Sequence, residues 1–221
     1  MERALIIGAT GGIGGAIADA LAARGVAVIR RSRSADGLDV TDEASISAVL
    51  GSLTGPFDLI VIATGKLDGA GNRPEKAISE VTAEALADQF RVNAIGPMLV
   101  LKHALPLLPK GAPSVLAVLS ARVGSIGDNR IGGWHSYRAA KAALNQLIHG
   151  AAIELSRTHK QACAVCLHPG TVQTPFTAAY AGRHRTVPAP EAAANLLSVI
   201  DTLTPAQSGR FFDYAGAEIP W

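Results

Sequence analysis

The feature that most constrains the fold of this chain is a glycine-rich turn near its N-terminus. In the stretch RALIIGATGGIGGAIADALAARGVAVI, a short apolar run breaks at glycines and continues with Ile13, Ile17 and Leu21 at a spacing of four. That order predicts a strand, a tight turn, a helix and a second strand. Glycines here let the backbone approach a pyrophosphate group, and the helix N-terminus offers free N–H groups. The stretch therefore predicts a β-α-β unit of the dinucleotide-binding kind, with the glycines read as 8, 12 and 14 or as 8, 11 and 14.

Apolar runs without alternation recur later, at residues 57–65, 114–120 and 163–170. Such runs are typical of parallel strands that are buried on both faces. Helical patterns lie between them, at residues 82–92 and onward, 137–155 and 190–203. The order β-α-β-β-α-β-α-β-α predicts a doubly wound parallel sheet, a Rossmann fold, with residues 1–221 as a single α/β domain. Few residues separate the second strand from GLDVTD, so we expect a helix common in such folds to be shortened or lost there.

Composition and charge argue against several classes of function. The chain has 20 basic and 18 acidic residues spread along its length, which leaves no basic patch for nucleic acid or a membrane surface. The uncharged run at residues 4–18 is interrupted by glycines and is shorter than the roughly 20 residues of a membrane span. Cys163 and Cys166 lie in an apolar strand, where residues three apart point to opposite faces. We expect two buried thiols, no metal site and a cytoplasmic protein.

Arginines follow the second strand, in the sequence IRRSRS. An NAD-binding protein of this fold places an acidic residue there, on the ribose hydroxyls. A guanidinium group attracts a 2′-phosphate, which a carboxylate would repel. Arg30, Arg31 and Arg33 therefore favour NADP(H) over NAD(H), the alternative being a solvated basic turn.

Tyr137 and Lys141 are the candidate catalytic pair. They stand four residues apart on an alanine-rich helix, hence on one face and one turn apart. A free tyrosine has a pKa near 10, and a nearby ammonium group favours its phenolate. The pair predicts proton transfer at Tyr137.

Six short motifs occur in a fixed order: GATGGIG, DVTD (39–42), ATG (63–65), VNAIGP (92–97), SYRAAK (136–141) and HPGTVQTPF (168–176). In this order they resemble the short-chain dehydrogenase/reductase family, and the resemblance covers essentially the whole chain. The run SARVGSIGDNRIGGWHSYRAAK with the terminal GRFFDYAGAEIPW is most similar to the branch that includes the C-factor signalling proteins and sniffer-type carbonyl reductases.

The resemblance implies a set of cofactor contacts along the carboxyl edge of the sheet. They are Gly8, Thr10, Gly12, Ile13 and Gly14 at the pyrophosphate; Asp39 and Val40 at the adenine; Ala63, Thr64 and Gly65 at a strand end; and Pro169, Gly170, Thr171, Val172 and Thr174 at the nicotinamide. Ala63 replaces an asparagine that is usual in the family.

The resemblance also implies a mechanism. A hydride passes between the nicotinamide and a carbonyl carbon while Tyr137 protonates the developing alkoxide; Lys141 binds the nicotinamide ribose and lowers the pKa of Tyr137, and Asn93 holds a water of the proton relay. The expected substrate is a small carbonyl compound or alcohol, the expected assembly is a homodimer or homotetramer, and residues 174–190 are expected to cover the substrate. The competing prediction is an NADP(H)-binding signalling or regulatory protein with little turnover.

The catalytic serine is the open question of the sequence. Counting back from Gly124, the family's serine position holds Ala121. Ser120 ends the strand just before it, and Ser125 lies beyond the glycine. We expect Ser120 to supply the hydroxyl, with Ser125 and the absence of any catalytic serine as the alternatives.

Overall fold

The computed structural model describes residues 1–67, 73–177 and 186–221. Within them, six parallel strands form one sheet in the order β2-β1-β3-β4-β5-β8, and two short strands form a separate parallel pair, β6-β7. The bounds of the strands are β1 Arg3–Ile7, β2 Ala27–Arg31, β3 Leu59–Ile62, β4 Ser114–Leu119, β5 Ala162–His168, β6 Val172–Gln173, β7 Val187–Pro188 and β8 Phe211–Asp213. The predicted parallel sheet is confirmed, and the fully buried β3 shows why its apolar run does not alternate.

Helices cover both faces of the sheet. Their bounds are α1 Gly12–Ala23, α2 Arg33–Asp36, α3 Glu43–Gly51, α4 Ala83–Phe90, α5 Gly96–Ala104, α6 His135–Thr158 and α7 Ala189–Ile200. One buried apolar layer joins the sheet to α1 and α7, and a second joins it to α3, α5 and α6. Cys163 lies in the first layer and Cys166 in the second, as the strand periodicity predicts.

The connection from β2 to β3 differs from the prediction. The expected shortened helix is present as the single turn α2, but the order that placed no other helix before the third strand is wrong. Asp42 caps α3 by accepting a hydrogen bond from the backbone of Ala44 at 3.0 Å, and Ile46 and Leu50 bury its inner face. The sequence prediction also missed β8, a strand of three residues at the sheet edge.

The helical segment around Asn93 is interrupted by a wider turn. Thr82 caps α4, and residues Arg91–Ile95 form a π-helical turn before α5 begins. Asn93 lies in this turn and is fully buried. Turns of this kind occur often at functional sites because they reorient one side chain within a helix. None of the helices in the described part of the chain has the length and apolar character of a membrane span.

Candidate active site

The glycine turn joins β1 to α1 at the carboxyl edge of the sheet. Gly8 has a φ of +86°, and its N–H donates to the carbonyl of Arg31 at the end of β2. A Cβ at Gly8 would lie 2.7 Å from the carbonyl oxygen of Ala63, and one at Gly12 would lie 2.6 Å from Cγ2 of Thr174. Only glycine fits these two positions, because the turn is pressed against the end of β3 on one side and against residue 174 on the other.

These residues fit the pyrophosphate of a dinucleotide. Helix α1 begins with neither a capping side chain nor an acidic residue in its first turn, so its first N–H groups are free for an anion. The hydroxyl of Thr64, at the end of β3, is buried and has no hydrogen-bond partner in the described residues. The predicted residues Ile13 and Gly14 belong to this first turn, and Gly14 packs against the carbonyl of Gly8.

The arginines after β2 differ in whether their side chains form ion pairs. Arg30 pairs with Asp19 at 2.8 Å, and Arg31 pairs with Asp36 at 3.3 Å. The side chain of Arg33 has no ion pair or hydrogen bond with the described residues, and its neighbour Ser34 donates to Thr10 Oγ1 at 3.3 Å. Arg33 is therefore the available guanidinium beside the glycine turn, whereas Arg30 and Arg31 are already paired.

Asp39 and Val40 lie between α2 and α3. Hydrogen bonds from Thr41 lower the pKa of Asp39, and the charge of Arg33 adds a smaller effect. The carbonyl of Val40 would lie 2.7 Å from a Cβ at Gly96, so this segment packs on the start of α5.

Tyr137 and Lys141 stand on the first turns of α6, as predicted, and both are buried. The Nζ atom of Lys141 lies 5.9 Å from the centre of the Tyr137 ring and donates to the carbonyl of Leu119 at 3.0 Å. A Cβ at Gly65 would lie 3.8 Å from this Nζ and 3.1 Å from Asn93 Oδ1. The end of β3, the π-helical turn and α6 therefore meet at one point.

Burial dominates the titration of the pair. It raises the pKa of Tyr137 above its ordinary value and lowers the pKa of Lys141 to about 8. Both shifts follow from the cost of holding a charge away from water. At neutral pH the pair is thus a neutral phenol beside an ammonium group.

Asn93 is held by a network that the sequence did not indicate. Its Nδ2 donates to Gln89 Oε1 at 2.6 Å and to the carbonyl of Lys66 at 2.7 Å, while its Oδ1 accepts from the N–H of Lys66 at 3.0 Å. Gln89 also donates to the carbonyl of Leu67. The spacing of four between Gln89 and Asn93 was the signal available in the sequence. The network fixes the chain immediately after Gly65.

The segment after β5 completes the edge. Gly170 has a φ of +77° and packs against the ring of Tyr214. The carbonyl of Thr171 accepts from Val187 at 3.0 Å. Pro169 begins this turn, and Val172 is buried where β6 pairs with β7. This turn places Thr174 next to Gly12 at the start of α1.

Among the described residues, neither candidate serine forms a hydrogen bond with Tyr137. The Ser120 hydroxyl donates to Asn145 Oδ1 at 2.6 Å, one turn of α6 beyond Lys141. The Ser125 hydroxyl donates to the carbonyl of Pro220. Each hydroxyl thus donates to a partner other than Tyr137, and the family's serine position is held by Ala121.

Aromatic rings flank Tyr137. Trp134 makes an edge contact with it at 6.3 Å between ring centres, and Phe176 lies at 6.5 Å on a tilted plane. Phe176 is 41% exposed. Other residues of the predicted substrate cover, Tyr180, Arg183, His184 and Arg185, lie outside the described residues, as does the whole stretch 178–185 of the loop 174–190.

The doubly wound parallel sheet, with a glycine turn opening its first helix, places the chain among the Rossmann-type α/β proteins. A family model described as short chain dehydrogenase matches residues 2–184. The chain belongs to the short-chain dehydrogenase family, which confirms the resemblance drawn from the six motifs.

Similar proteins agree on the family and its branch. C-signal of Myxococcus xanthus is 39% identical over 168 residues, which cover 76% of this chain and 95% of that protein. A 1-hydroxy-2-glutathionyl-2-methyl-3-butene dehydrogenase of Rhodococcus sp. (strain AD45) is 32% identical over 100% of both chains.

Solved structures show the same fold. An NADPH-bound carbonyl reductase from chicken fatty liver has a TM-score of 0.82 at 25% identity, covering 100% of this chain and 99% of the other. The sniffer carbonyl reductase of Drosophila melanogaster has a TM-score of 0.81 at 20% identity, covering 100% of both chains. The predicted likeness to the C-factor proteins is thus confirmed, and the sniffer carbonyl reductase shares the fold.

Proposed function

We propose that the chain is an NADP(H)-dependent oxidoreductase that reduces a small carbonyl compound or oxidises the corresponding alcohol, with Tyr137 as the proton donor or acceptor. The observation that carries this proposal is the buried Tyr137 and Lys141 pair, which lies beside Gly65 at the edge that also carries the glycine turn. A reacting carbonyl group at this edge lies within reach of both a phenol and the cofactor cradle.

NADP(H), when bound, supplies or accepts the hydride at the carbonyl carbon. Tyr137 handles the proton at the carbonyl oxygen. Because burial raises its pKa, Tyr137 holds its proton at neutral pH and is ready to donate it to a developing alkoxide. A carbonyl reduction at this site therefore begins with Tyr137 as a protonated phenol.

Lys141 places a positive charge 5.9 Å from the centre of the Tyr137 ring. Once Tyr137 has given up its proton, this charge stabilises the phenolate that remains. The carbonyl of Leu119 and the fixed position of α6 hold the ammonium group in place, and no carboxylate among the described residues pairs with it. Asn93, held by Gln89 and Lys66, supports the same corner of the site.

The cofactor is assigned as NADP(H) on two grounds. The chicken carbonyl reductase is described with bound NADPH, and a short-chain dehydrogenase/reductase from Burkholderia multivorans, with a TM-score of 0.82 at 24% identity over 100% of this chain and 99% of that one, is described with bound NADP. In this chain, the guanidinium of Arg33 beside Ser34 suits a 2′-phosphate. Arg33 therefore takes the role that the sequence also offered to Arg30 and Arg31.

The second candidate function is an NADP(H)-binding signalling protein with little turnover. It is favoured by the 39% identity to C-signal and by the serine hydroxyls, each of which donates to a partner other than Tyr137. Loss of one such donor typically lowers a rate by about 10²–10³. A slow enzyme and a binding protein are the two outcomes to distinguish.

The test is a pair of measurements on the purified protein. NADPH and NADH binding are followed by cofactor fluorescence, and cofactor oxidation is followed with a panel of aldehydes, ketones and quinones. We expect NADPH to bind more tightly than NADH and to be oxidised with at least one class of carbonyl compound. NADPH binding without oxidation on any of them would replace the enzyme proposal with the signalling one.

We further propose that residues 1–221 form one domain and that residues 174–190 cover the substrate. Two or four copies assemble, and the apolar faces at residues 97–108 and 139–153 are the surfaces available for this pairing. The protein works in the cytoplasm.

A further inference from the structure

A buried carboxylate lies beside the site, and the reaction proposed above does not use it. Glu75, in the segment between β3 and α4, is only 7% exposed. A carboxylate at this depth needs hydrogen-bond donors to offset the loss of water. Its donors come from α6: Glu75 Oε2 accepts from the N–H of Ser136 at 3.3 Å, and Oε1 accepts from the Ser136 hydroxyl. Glu75 and Ser136 are 61 positions apart in the chain.

Helix α6 has no capping side chain of its own. Its N-cap position is Trp134, which makes no side-chain capping bond. A helix of 24 residues carries partial positive charge at its first turn, where N–H groups lack partners within the helix. The Glu75 carboxylate supplies the missing cap from a distant segment.

The backbone of Glu75 makes a second contact. Its carbonyl accepts from the N–H of Trp134 at 2.5 Å. Gly132, Gly133 and Trp134 all have positive φ values, of 69°, 63° and 52°. A tryptophan is rarely left-handed, and such a conformation persists only where the surroundings hold it. Both the backbone and the side chain of Glu75 therefore hold the entry to α6.

Tyr137 is the next residue after Ser136 in this same turn, and the Trp134 ring packs edge-on against it. We infer that Glu75 is a positioning residue: it docks the segment after β3 on the first turn of α6 and so holds Tyr137 where its phenol meets the substrate oxygen. This inference rests on the proposed function for its effect on turnover. The docking itself does not depend on catalysis.

Glu75 remains charged at neutral pH. Burial, the largest single effect, opposes its ionisation, but the hydrogen bonds from Ser136 and from the backbone of Glu75 itself together outweigh it and hold its pKa below the usual range, with a smaller contribution from His135. Glu75→Gln therefore removes a charge and weakens the cap while keeping the shape of the side chain. Glu80→Gln is the matched control, because Glu80 lies in the same segment but accepts its hydrogen bonds from Arg73 and the Lys76 N–H rather than from α6.

The experiment compares wild type, Glu75→Gln, Glu75→Ala and Glu80→Gln by two methods. Amide hydrogen exchange, measured by mass spectrometry over residues 133–138, reports the docking with no substrate present. Turnover is measured as kcat per NADPH-binding site, so that molecules that fail to fold do not count.

We expect exchange over residues 133–138 to quicken by about tenfold in Glu75→Gln and by more in Glu75→Ala. We expect kcat per site to fall by about 10-fold and 100-fold in the two variants, since small displacements of a catalytic group have such effects, with NADPH affinity kept. Glu80→Gln should match wild type in both.

Unchanged exchange in both Glu75 variants would overturn the docking. Faster exchange with unchanged kcat per site, or a fall in kcat matched by an equal loss of NADPH affinity, would overturn the positioning of Tyr137. A wild-type protein without turnover would refute the proposed function, and the exchange data would still decide whether Glu75 docks α6.

Discussion

The charge on buried Lys141 should destabilise the folded protein, and a substitution that removes this charge should make the protein more stable. Burial lowers the pKa of Lys141 from 10.5 to about 8, and each pKa unit corresponds to about 1.4 kcal/mol, so keeping this ammonium charged costs about 3 kcal/mol. Lys141→Met removes that cost but leaves the Leu119 carbonyl without its donor, a loss of about 1–2 kcal/mol. We expect the variant to be about 1–2 kcal/mol more stable than wild type at pH 7.

The pH dependence gives the sign of this effect. Below pH 8 the lysine is charged in both the folded and the unfolded chain, so the full cost is present. Between pH 8 and 10.5 the folded protein releases the proton while the unfolded chain keeps it, so the stability of wild type rises through this window relative to the variant. By pH 10 the advantage of Lys141→Met should have disappeared.

The assay is urea unfolding of the cofactor-free protein, followed by circular dichroism at pH 7 and pH 10. Lys102→Met is the control, because Lys102 is an exposed lysine paired with Glu43, and its loss should change stability by no more than about 0.5 kcal/mol at either pH. A difference between wild type and Lys141→Met that stays constant from pH 7 to pH 10 would refute the argument from burial.

Three further predictions concern the cofactor site and the serine. Arg33→Asp should weaken NADPH binding by about 100-fold while leaving NADH binding nearly unchanged, whereas Arg30→Asp should have a small effect on both; equal losses of the two cofactors would contradict the role of Arg33. Ser120→Ala should keep kcat/KM within about tenfold of wild type, because its hydroxyl is bonded away from the site; a larger fall would show that the hydroxyl turns inward. Gly12→Ala should abolish NADPH binding, because its Cβ would lie 2.6 Å from Cγ2 of Thr174. Adding Thr174→Ser to this variant should restore part of the NADPH binding. If the double variant folds and still does not bind NADPH, the clash lies elsewhere.

The sheet could be predicted because its strands are long apolar runs and its first helix opens on glycines. The helix α3 and the strand β8 were missed for a common reason. Both are short, with nine and three residues, and a short segment shows too little periodicity to stand out from a loop. The capping residue Asp42 was the one local signal for α3.

The sequence predicted which residues belong to the candidate site, but it did not predict the directions in which their side chains point. The meeting of Gly65, Asn93 and Lys141 was expected from the family resemblance of the six motifs, which assigns all three residues to one site. The direction of the Ser120 hydroxyl depends on which side of the strand end it leaves, and a shift of one residue reverses that side.

Long-range pairings also lay beyond the sequence. Arg30 forms an ion pair with Asp19 of α1, and no spacing within IRRSRS indicates this pair. Glu75 meets the first turn of α6 across 61 positions of the chain. Contacts of this kind arise from the packed fold, so a single sequence offers no local pattern for them.

The central claim is that Tyr137 transfers the proton of a carbonyl reduction in a protein that binds NADPH. The most direct test is Tyr137→Phe, with NADPH affinity measured by fluorescence and NADPH oxidation measured on the best carbonyl substrate of the wild-type protein. We expect kcat to fall by about 100-fold or more, the usual contribution of a general acid, with the NADPH dissociation constant changed by no more than about twofold. Turnover within about threefold of wild type in a variant that still binds NADPH would contradict the account.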